Sequence, residues 1–328
     1  MIAPYPLVFE PMLFEKVWGG RRLARFGKTL PPEAHIGESW EVTDLSTTSA
    51  SGAGGGQARS IIAGGPLRGR TLSDAMAMWG RAMLGDAKTA SGAFPLLIKY
   101  LDAREHLSVQ VHPSPAYASV HPDAHLKSEC WYVLDAEPGS VIFKGLRAGV
   151  TRDVVERALR TAQGEGIVPL LEAVPAVAGE CHDLPSGTLH ALGGGVLVAE
   201  VQTPSDTTFR VYDWAKELGR TGRTLHVEQA LACIDFGPPP PTTHGRGERT
   251  RLVHNEYFDL LELRPGKGPL SLEARCCVLM VVRGSISLRF DGRIEEHAPG
   301  TTIVLPAAIA DDVEVAGTGA TVLCAMVR

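Results

Sequence analysis

The chain has 328 residues, of which 44% are hydrophobic and 21% are charged, as in an ordinary globular protein of one or two domains. Its net charge of −5 argues against a surface for nucleic acid. No apolar run reaches the roughly 18 residues of a membrane helix. The start lacks the features of a secretion signal, and the six cysteines are scattered without a CxxC pair. We therefore expect a cytoplasmic protein.

Short runs rich in β-branched and aromatic residues dominate the chain. Many of them end at Gly or Pro, which is typical of strands in a β-sandwich or barrel. The pattern therefore predicts a mainly β protein. The predicted strands are residues 39–43, 96–100, 108–112, 130–134, 196–202, 258–263, 278–289 and 302–305.

Helical patterns are confined to a few intervals between the predicted strands. Residues 71–84 carry apolar side chains at helical spacing, among them Leu72, Met76 and Trp79. Two further helical intervals are predicted at about residues 151–173 and 225–234. These short insertions interrupt a β scaffold and do not form a helical domain of their own.

Two stretches of unusual composition interrupt the chain. Residues 49–56 are almost all Gly, Ala and Ser and predict a flexible loop. Residues 237–247 contain four consecutive prolines and predict a stiff, extended linker. We place a domain boundary at this linker, with a catalytic, metal-binding domain over residues 1–236 and a smaller β domain over residues 248–328.

A weak internal repeat relates the two predicted domains. Gly179-x5-Pro185 in the first is echoed by Gly300-x5-Pro306 in the second, but Asp311 stands where the first has His190. A strand that begins with Glu129 is echoed by one that begins with Cys277. We therefore interpret the second domain as the same scaffold without the polar metal-ligand residues, and we expect its role to be structural.

Four polar residues of the first domain form a candidate metal site. Gln110 and His112 are two residues apart on a predicted strand and so point to one face. Glu129 opens an apolar strand, where a buried carboxylate needs a partner. His190 follows a Pro-Ser-Gly-Thr turn. Two imidazoles, a carboxylate and an amide oxygen suit Zn²⁺ with room for a water, although manganese, cobalt or iron also accept this set.

The chain resembles the type I phosphomannose isomerases, particularly their short bacterial form, over roughly residues 10 to 215. The spacing Gly179-x5-Pro185-x-Gly187-x2-His190 also matches the second motif of the cupins. The stretches that carry the family resemblance are Trp18-Gly19, Gly37-Glu-Ser-Trp40, Phe94-Pro-Leu-Leu-Ile-Lys99, Leu107-Ser-Val-Gln-Val-His-Pro113, Lys127-Ser-Glu-Cys-Trp-Tyr132, Pro185-Ser-Gly-Thr-Leu-His-Ala191 and Gln202-x2-Ser-Asp-x3-Arg210-Val-Tyr-Asp213.

The resemblance implies a cupin-type double-stranded β-helix, or jelly roll, with a degenerate second cupin-like unit. It implies an enzyme that interconverts mannose 6-phosphate and fructose 6-phosphate with one zinc ion. Arg210 and Lys127 are then the expected catalytic residues. The expected metal ligands are Gln110, His112, Glu129 and His190, and the expected substrate-binding residues are Trp18, Glu38, Lys99 and Glu200.

The chain departs from some relatives before Lys127. Those relatives carry a histidine directly before the lysine, whereas Leu126 stands here and His125 is one step removed. A proton-transfer role does not carry over to His125. The remaining histidines, among them His106 and His182, are expected on loops or at the surface.

Aldose–ketose isomerisation moves a proton between C1 and C2 through an enediol. Arg210 keeps its proton, so it is expected to stabilise charge or to pair with phosphate. Lys127 and Glu200 both remain candidates for proton transfer. Alternatives are an isomerase of another sugar or sugar phosphate, a non-catalytic sugar-phosphate-binding cupin and, less favoured, a metal oxygenase. A small sugar phosphate is the expected partner of a monomer or homodimer.

Overall fold

The structure is a computed structural model that describes residues 2–49, 54–87, 89, 92–160, 162–266 and 272–328. Residues 50–53 of the predicted flexible loop lie outside the described residues. The protein is mainly β, with a cupin-like arrangement of strands, as predicted from the sequence. Within the described residues, no helix is long and apolar enough to cross a membrane.

The strands of the first 236 residues are β1 Leu7–Val8, β2 Met12–Gly20, β3 Ile36–Val42, β4 Asp44–Leu45, β5 Ala58–Arg59, β6 Leu97–Ala103, β7 Val109–Val111, β8 Glu129–Ala136, β9 Val141–Leu146, β10 Leu171–Pro175, β11 Glu180–Leu184, β12 His190–Leu192, β13 Val196–Gln202 and β14 Phe209–Tyr212. The later strands are β15 Thr243–His244, β16 Arg249–His254, β17 Phe258–Leu263, β18 Cys277–Arg283, β19 Ile286–Phe290, β20 Arg293–His297, β21 Thr302–Leu305, β22 Glu314–Ala316 and β23 Thr321–Val327.

Two large sheets form the first unit, and β4 and β5 form a separate two-stranded sheet. One large sheet has the strand order β10-β9-β12-β7-β14 and the other β15-β11-β8-β13-β6-β2-β3. Apolar side chains from both sheets meet between them, including Leu101, Trp131, Ile142 and Leu192. The predicted site residues Glu129 and His190 lie on strands β8 and β12 of these two sheets.

The second unit is a six-stranded sheet, ordered β1-β21-β18-β23-β17-β16, with a small sheet ordered β20-β19-β22. Apolar residues such as Leu279, Ile303 and Val322 fill its interior. The predicted strand over residues 278–289 is wrong as one strand. It is divided between β18 and β19 in two different sheets, because Gly284 has φ of 64° and turns the chain.

The internal repeat has a counterpart in strand register. Glu129 lies opposite Leu184 across β8 and β11, and Cys277 lies opposite Leu305 across β18 and β21. Leu184 and Leu305 each directly precede the proline of the repeated motif. Cys277 therefore occupies the position in the second unit that Glu129 occupies in the first.

The two units pack closely. Strand β1, from the start of the chain, pairs Leu7 with Val304 of β21. Strand β15 lies within the predicted linker and pairs Thr243 with Cys181 of β11. One apolar core contains buried residues from both units. The division into domains at residues 237–247 stays a prediction.

A glycine and a buried lysine bring the units into contact beside a short 3-10 helix. Lys28 Nζ lies 2.6 Å from Glu41 Oε2 and donates a hydrogen bond of 2.8 Å to the carbonyl of Gly300. Gly300 has φ of 90°, and an added Cβ would lie 2.0 Å from the carbonyl oxygen of Phe26. Only glycine fits this approach.

Helices lie in all three predicted intervals. In the first interval Thr71 caps the helix and exchanges hydrogen bonds with Asp74, a capping box, and Gly80 then divides the interval into two helices. The helix Pro115–Val120 and the 3-10 helices outside the intervals were not predicted. The α-helices are α1 Leu72–Trp79, α2 Arg81–Leu84, α3 Pro115–Val120, α4 Arg152–Arg160 and α5 Val227–Cys233, and the 3-10 helices are Arg22–Phe26, Ala162–Leu170 and Ala307–Asp312.

Candidate metal centre and adjoining pocket

Three predicted ligands from distant parts of the chain meet inside the first unit. His112 directly follows β7, Glu129 opens β8 and His190 opens β12. His112 Nε2 lies 3.4 Å from Glu129 Oε1, and His190 Nε2 lies 3.2 Å from the same oxygen. One ligand atom from each residue lies within 4.8 Å of the other two. All three side chains are buried.

Backbone carbonyls orient the two histidines. His112 Nδ1 lies 3.1 Å from the carbonyl of Thr207, and His190 Nδ1 lies 2.8 Å from that of Thr188. An Nδ1–H that donates to each carbonyl leaves both Nε2 lone pairs directed at Glu129, the arrangement usual for metal-binding histidines. Burial, together with the charge of nearby Lys127, lowers the pKa of His112 to about 3, so the imidazole is neutral as a metal ligand must be.

Polar atoms at the centre of this cluster have no hydrogen bond. Among the residues that the structure describes, His112 Nε2 and Glu129 Oε1 are buried without a hydrogen-bond partner. Leaving such atoms unpaired away from water costs several kcal/mol, roughly. A divalent cation between them removes this cost, and two imidazoles with one carboxylate fit zinc.

Gln110 lies beside the cluster but presents its amide nitrogen. Its Nε2 lies 3.4 Å from His190 Nε2, while its Oε1 accepts a hydrogen bond of 3.3 Å from Ser108. The carbonyl oxygen is the metal-binding atom of an amide. Coordination by Gln110 therefore requires a flip of the side-chain amide, which exchanges the positions of Oε1 and Nε2 and hardly changes the shape of the side chain.

Glu129 is held in its ionised form by the neighbouring cation. Lys127 Nζ lies 2.7 Å from Glu129 Oε2, the oxygen that does not face the histidines. Burial raises the pKa of Glu129, but the charge of Lys127 outweighs it and holds the pKa well below its usual range. The carboxylate is thus charged and oriented before any metal binds.

A pocket adjoins the cluster and contains all the other predicted site residues. Seven predicted residues line it: Trp18, Glu38, Lys99, Gln110, Lys127, Glu200 and Arg210. Nine further residues line it, none of which was predicted as part of the site: Lys16, Trp40, Leu101, Leu107, Ser108, Trp131, Asp206, Thr208 and Arg223.

Carboxylates and lysines alternate along one wall of the pocket. Lys16 Nζ lies 3.2 Å from Glu38 Oε1, and Lys99 Nζ lies 3.8 Å from Glu38 Oε2 and 3.1 Å from Glu200 Oε1. Burial raises the pKa of Glu38, but the two lysines together outweigh it and lower the pKa to about 2. Glu38 is therefore ionised at any pH at which the protein functions.

The pKa of Glu200 is shifted in the opposite direction to that of Glu38. Its Oε2 accepts a hydrogen bond of 2.7 Å from the indole of Trp131. Burial and the charge of Glu129 raise the pKa of Glu200, although Lys99 opposes them. A carboxyl with a raised pKa exchanges protons more readily near neutral pH, so the two carboxylates suit different roles.

Arg210 reaches the pocket from β14, where it lies opposite Gln110. Its Nη1 donates a hydrogen bond of 3.0 Å to the carbonyl of Thr224. Burial, and then repulsion from Arg223, lower the pKa of Arg210 to about 10. The guanidinium is still protonated at neutral pH and brings a fixed positive charge beside the metal cluster.

The structure departs from the sequence-based expectations for two residues. His182 is fully buried on β11, so its prediction as a surface or loop residue is wrong. Trp40 lines the pocket and was not predicted as a site residue. Asp206 lies within a stretch that carries the family resemblance and could have been found there, whereas nothing in the sequence marks Arg223.

The fold and the site define the class of protein: a cupin-type β protein with a buried metal centre that opens into a charged pocket. A family model described as the catalytic domain of type I phosphomannose isomerase matches residues 7–144. The mannose-6-phosphate isomerase of Streptococcus mutans is 34% identical over 314 residues, 93% of each chain. The chain belongs to the type I phosphomannose isomerase family.

Further comparisons agree with this membership. The mannose-6-phosphate isomerase ManA of Bacillus subtilis is 34% identical over 258 residues, which cover 78% of this chain and 74% of the relative. The crystal structure of the mannose 6-phosphate isomerase from Bacillus subtilis superposes with a TM-score of 0.82 at 29% identity, over 98% of this chain and 99% of that one. Both comparisons extend beyond residue 144 into the second unit.

Proposed function

We propose that this protein is a zinc-dependent mannose-6-phosphate isomerase, which interconverts mannose 6-phosphate and fructose 6-phosphate through an enediol. The observation that carries the proposal is the convergence of His112, Glu129 and His190 on one point beside a charged pocket. The family membership supports the same reaction. A structure of a related mannose 6-phosphate isomerase contains zinc.

The proposed ligands are Gln110, His112, Glu129 and His190. Zinc, when bound, supplies Lewis-acid stabilisation of negative charge on the oxygens of the sugar. The burial of the ligands supports this role, since a charge that develops in a dry site is stabilised far more than one in water.

The proposed task of Arg210 is to stabilise the charge of the enediolate. It lies opposite Gln110 and is protonated at neutral pH, so its N–H groups can donate to an oxygen at C1 or C2. Trp18, Glu38 and Lys99 line the same pocket and are proposed to bind the sugar. Lys99 forms ion pairs with Glu38 and Glu200. These ion pairs hold the polar groups in position to bind the hydroxyls of the sugar.

Two groups are proposed for the proton transfer between C1 and C2. Glu200 combines a raised pKa with a position on the pocket wall. Lys127 also lines the pocket, but its ammonium is engaged by Glu129 at 2.7 Å. We favour Glu200 as the group that carries the proton, because burial and Glu129 raise its pKa, and Lys127 as the group that holds Glu129.

The test is a coupled isomerase assay on purified, zinc-loaded protein. We expect conversion of mannose 6-phosphate, loss of activity with a chelator and recovery when zinc is returned. Arg210→Ala should keep its zinc and lose about 100-fold or more in kcat. Arg160→Ala, which removes an exposed arginine paired with Glu228, is the control and should match the wild type.

The same assay separates the alternatives. Folded, zinc-loaded protein that does not convert mannose 6-phosphate would contradict the proposal. Turnover of a different sugar phosphate in a substrate panel would indicate an isomerase of another specificity. Binding of mannose 6-phosphate without turnover would indicate a sugar-phosphate-binding cupin. The intact set of ligands with Arg210 favours the enzyme over the binding protein.

We also propose that the protein works in the cytoplasm. All six cysteines are free and buried, as suits a reducing compartment. Its state as a monomer or homodimer and its division at the proline-rich linker stay predictions, which sedimentation and limited proteolysis test.

A further inference from the structure

We propose that Arg223 anchors the phosphate group of the substrate at the mouth of the pocket. The inference rests on the proposed function and deepens it, because it names the residue that selects a phosphorylated sugar. Arg223 lies outside the stretches that carry the family resemblance, and it reaches the pocket only through the folding of the segment after β14.

Asp213 holds Arg223 in place along one edge of its guanidinium. Arg223 Nε donates a hydrogen bond of 3.0 Å to Asp213 Oδ1, its Nη2 contacts the same oxygen, and its backbone N–H donates one of 2.9 Å to Oδ2. No hydrogen bond is formed by its Nη1 within the described part of the chain. A fixed guanidinium with unused donors is prepared to bind an anion at low entropic cost.

Arg223 is also the most accessible cation of the pocket. Its side chain is 32% exposed, against 17% for Lys16, 6% for Lys99, 5% for Lys127 and 6% for Arg210. The buried lysines are already engaged by carboxylates. A phosphate dianion is strongly hydrated, so it binds most favourably where its other oxygens stay in contact with water.

Arg223 lies next to Arg210 in the pocket, through a shared contact with Asp213. Arg210 lies opposite Gln110, and Arg210 Nε lies 3.8 Å from Asp213 Oδ1, the oxygen that Arg223 also contacts. Arg223 is thus the next guanidinium after Arg210 and the nearer of the two to solvent. In a hexose 6-phosphate the phosphate and the reacting carbons lie at opposite ends, so the proposal places the reacting carbons at the metal ligands and the phosphate at Arg223.

The charge around Asp213 is positive. Three arginines lie within 4.0 Å of its carboxylate, namely Arg210, Arg220 and Arg223. Arg220 also pairs with Glu105 at 3.2 Å. Glu105 also pairs with Arg104 at 2.8 Å, so four guanidinium groups share two carboxylates and positive charge is in excess. Of these arginines only Arg210 and Arg223 line the pocket, so this charge faces the substrate.

Asp206, another carboxylate of the pocket, forms hydrogen bonds with Ser49. Its oxygens accept hydrogen bonds of 2.8 and 2.9 Å from the backbone N–H of Ser49 and one of 3.1 Å from the Ser49 hydroxyl. These donors spread its negative charge and reduce its repulsion of a phosphate at Arg223.

The experiment measures Arg223→Gln and Arg223→Lys in the zinc-loaded, full-length protein. We expect Arg223→Gln to raise the KM for mannose 6-phosphate by about 10- to 100-fold, the scale of a lost charge-assisted contact, with kcat changed less than about threefold. Competitive inhibition by inorganic phosphate should weaken by the same factor. Arg223→Lys keeps the positive charge without the planar guanidinium. Its KM for mannose 6-phosphate should lie between those of the wild type and Arg223→Gln.

Arg220→Gln is the matched control, because Arg220 also contacts Asp213 but does not line the pocket. Its KM should stay close to that of the wild type. Unchanged KM and unchanged phosphate inhibition in both Arg223 variants would overturn the proposal, as would a loss of kcat at constant KM. If Arg223→Gln does not fold, the KM for mannose 6-phosphate and the inhibition constant of inorganic phosphate are measured on Arg223→Lys instead.

The design separates the anchor from the proposed function. If the wild type does not isomerise mannose 6-phosphate, the function is wrong, and calorimetric titration of wild type and variants with inorganic phosphate still tests the anchor. If the wild type is active and the Arg223 variants bind phosphate equally well, the anchor alone is wrong.

Discussion

Lys127 Nζ lies 2.7 Å from Oε2 of Glu129, while Oε1 of the same carboxylate faces His112 and His190. The two oxygens of Glu129 therefore have separate tasks. One is available to a metal, and the other is fixed by a buried ammonium. Lys127 controls the orientation of Glu129 and thereby the geometry of the metal centre.

Replacing Lys127 should weaken zinc binding. We expect Lys127→Gln to lower the affinity for zinc by about 10- to 100-fold, because partners of metal ligands contribute on this scale. Competition with a chromophoric chelator measures the affinity. Lys16→Gln removes a lysine that pairs with Glu38, which is no ligand, and should keep wild-type zinc affinity. Equal affinities in the two variants would contradict the role of Lys127.

Glu38 should contribute stability that depends on pH. Its pKa is about 2 in the folded protein against 4.5 as the ordinary value. The unfolded chain therefore binds more protons between these values, so stability from this group is present above pH 4.5 and is lost as the pH falls toward 2. We expect Glu38→Gln to lower the free energy of unfolding by about 2 kcal/mol at pH 7, after allowance for partial exposure.

Urea denaturation at pH 7 and pH 3.5 measures this difference, which should shrink at the lower pH. Glu15→Gln removes an exposed carboxylate of the neighbouring strand β2 and should have little effect at either pH. A cost of Glu38→Gln that is equal at both pH values would show that packing, and not charge, is responsible.

Gly300 should be essential for the contact between the two units. A Cβ at this position meets the carbonyl oxygen of Phe26 at 2.0 Å, in addition to the strain of φ near 90°. We expect Gly300→Ala to lower the free energy of unfolding by about 3 kcal/mol or more. Gly292 has φ of 73° and open space around it, so Gly292→Ala should cost only about 1 kcal/mol.

Chemical denaturation followed by tryptophan fluorescence compares the two glycine variants. Both replacements introduce a similar backbone strain, so the difference between them reports the collision with Phe26. Equal losses would show that the two units do not depend on this close approach.

The sequence by itself determined the mainly β class and singled out His112, Glu129 and His190, which the structure brings together. Alternation along a strand placed Gln110 and His112 on one face, and a Gly–Pro–Gly spacing marked His190 as the residue presented by a turn. These signals are local, because a strand has a period of two residues and a turn has strict backbone requirements. A buried carboxylate such as Glu129 is also visible locally, as a charge within an apolar strand.

Only the tertiary structure decided which charges share the pocket. Arg223 reaches it because Asp213 binds its guanidinium, and Lys16 reaches it because Glu38 lies on the neighbouring strand. The pairing of β1 with the second unit and the burial of His182 likewise come from contacts between distant segments. Such contacts leave no periodic pattern, since the free energy that fixes them depends on packing and charge in three dimensions and not on spacing along the chain.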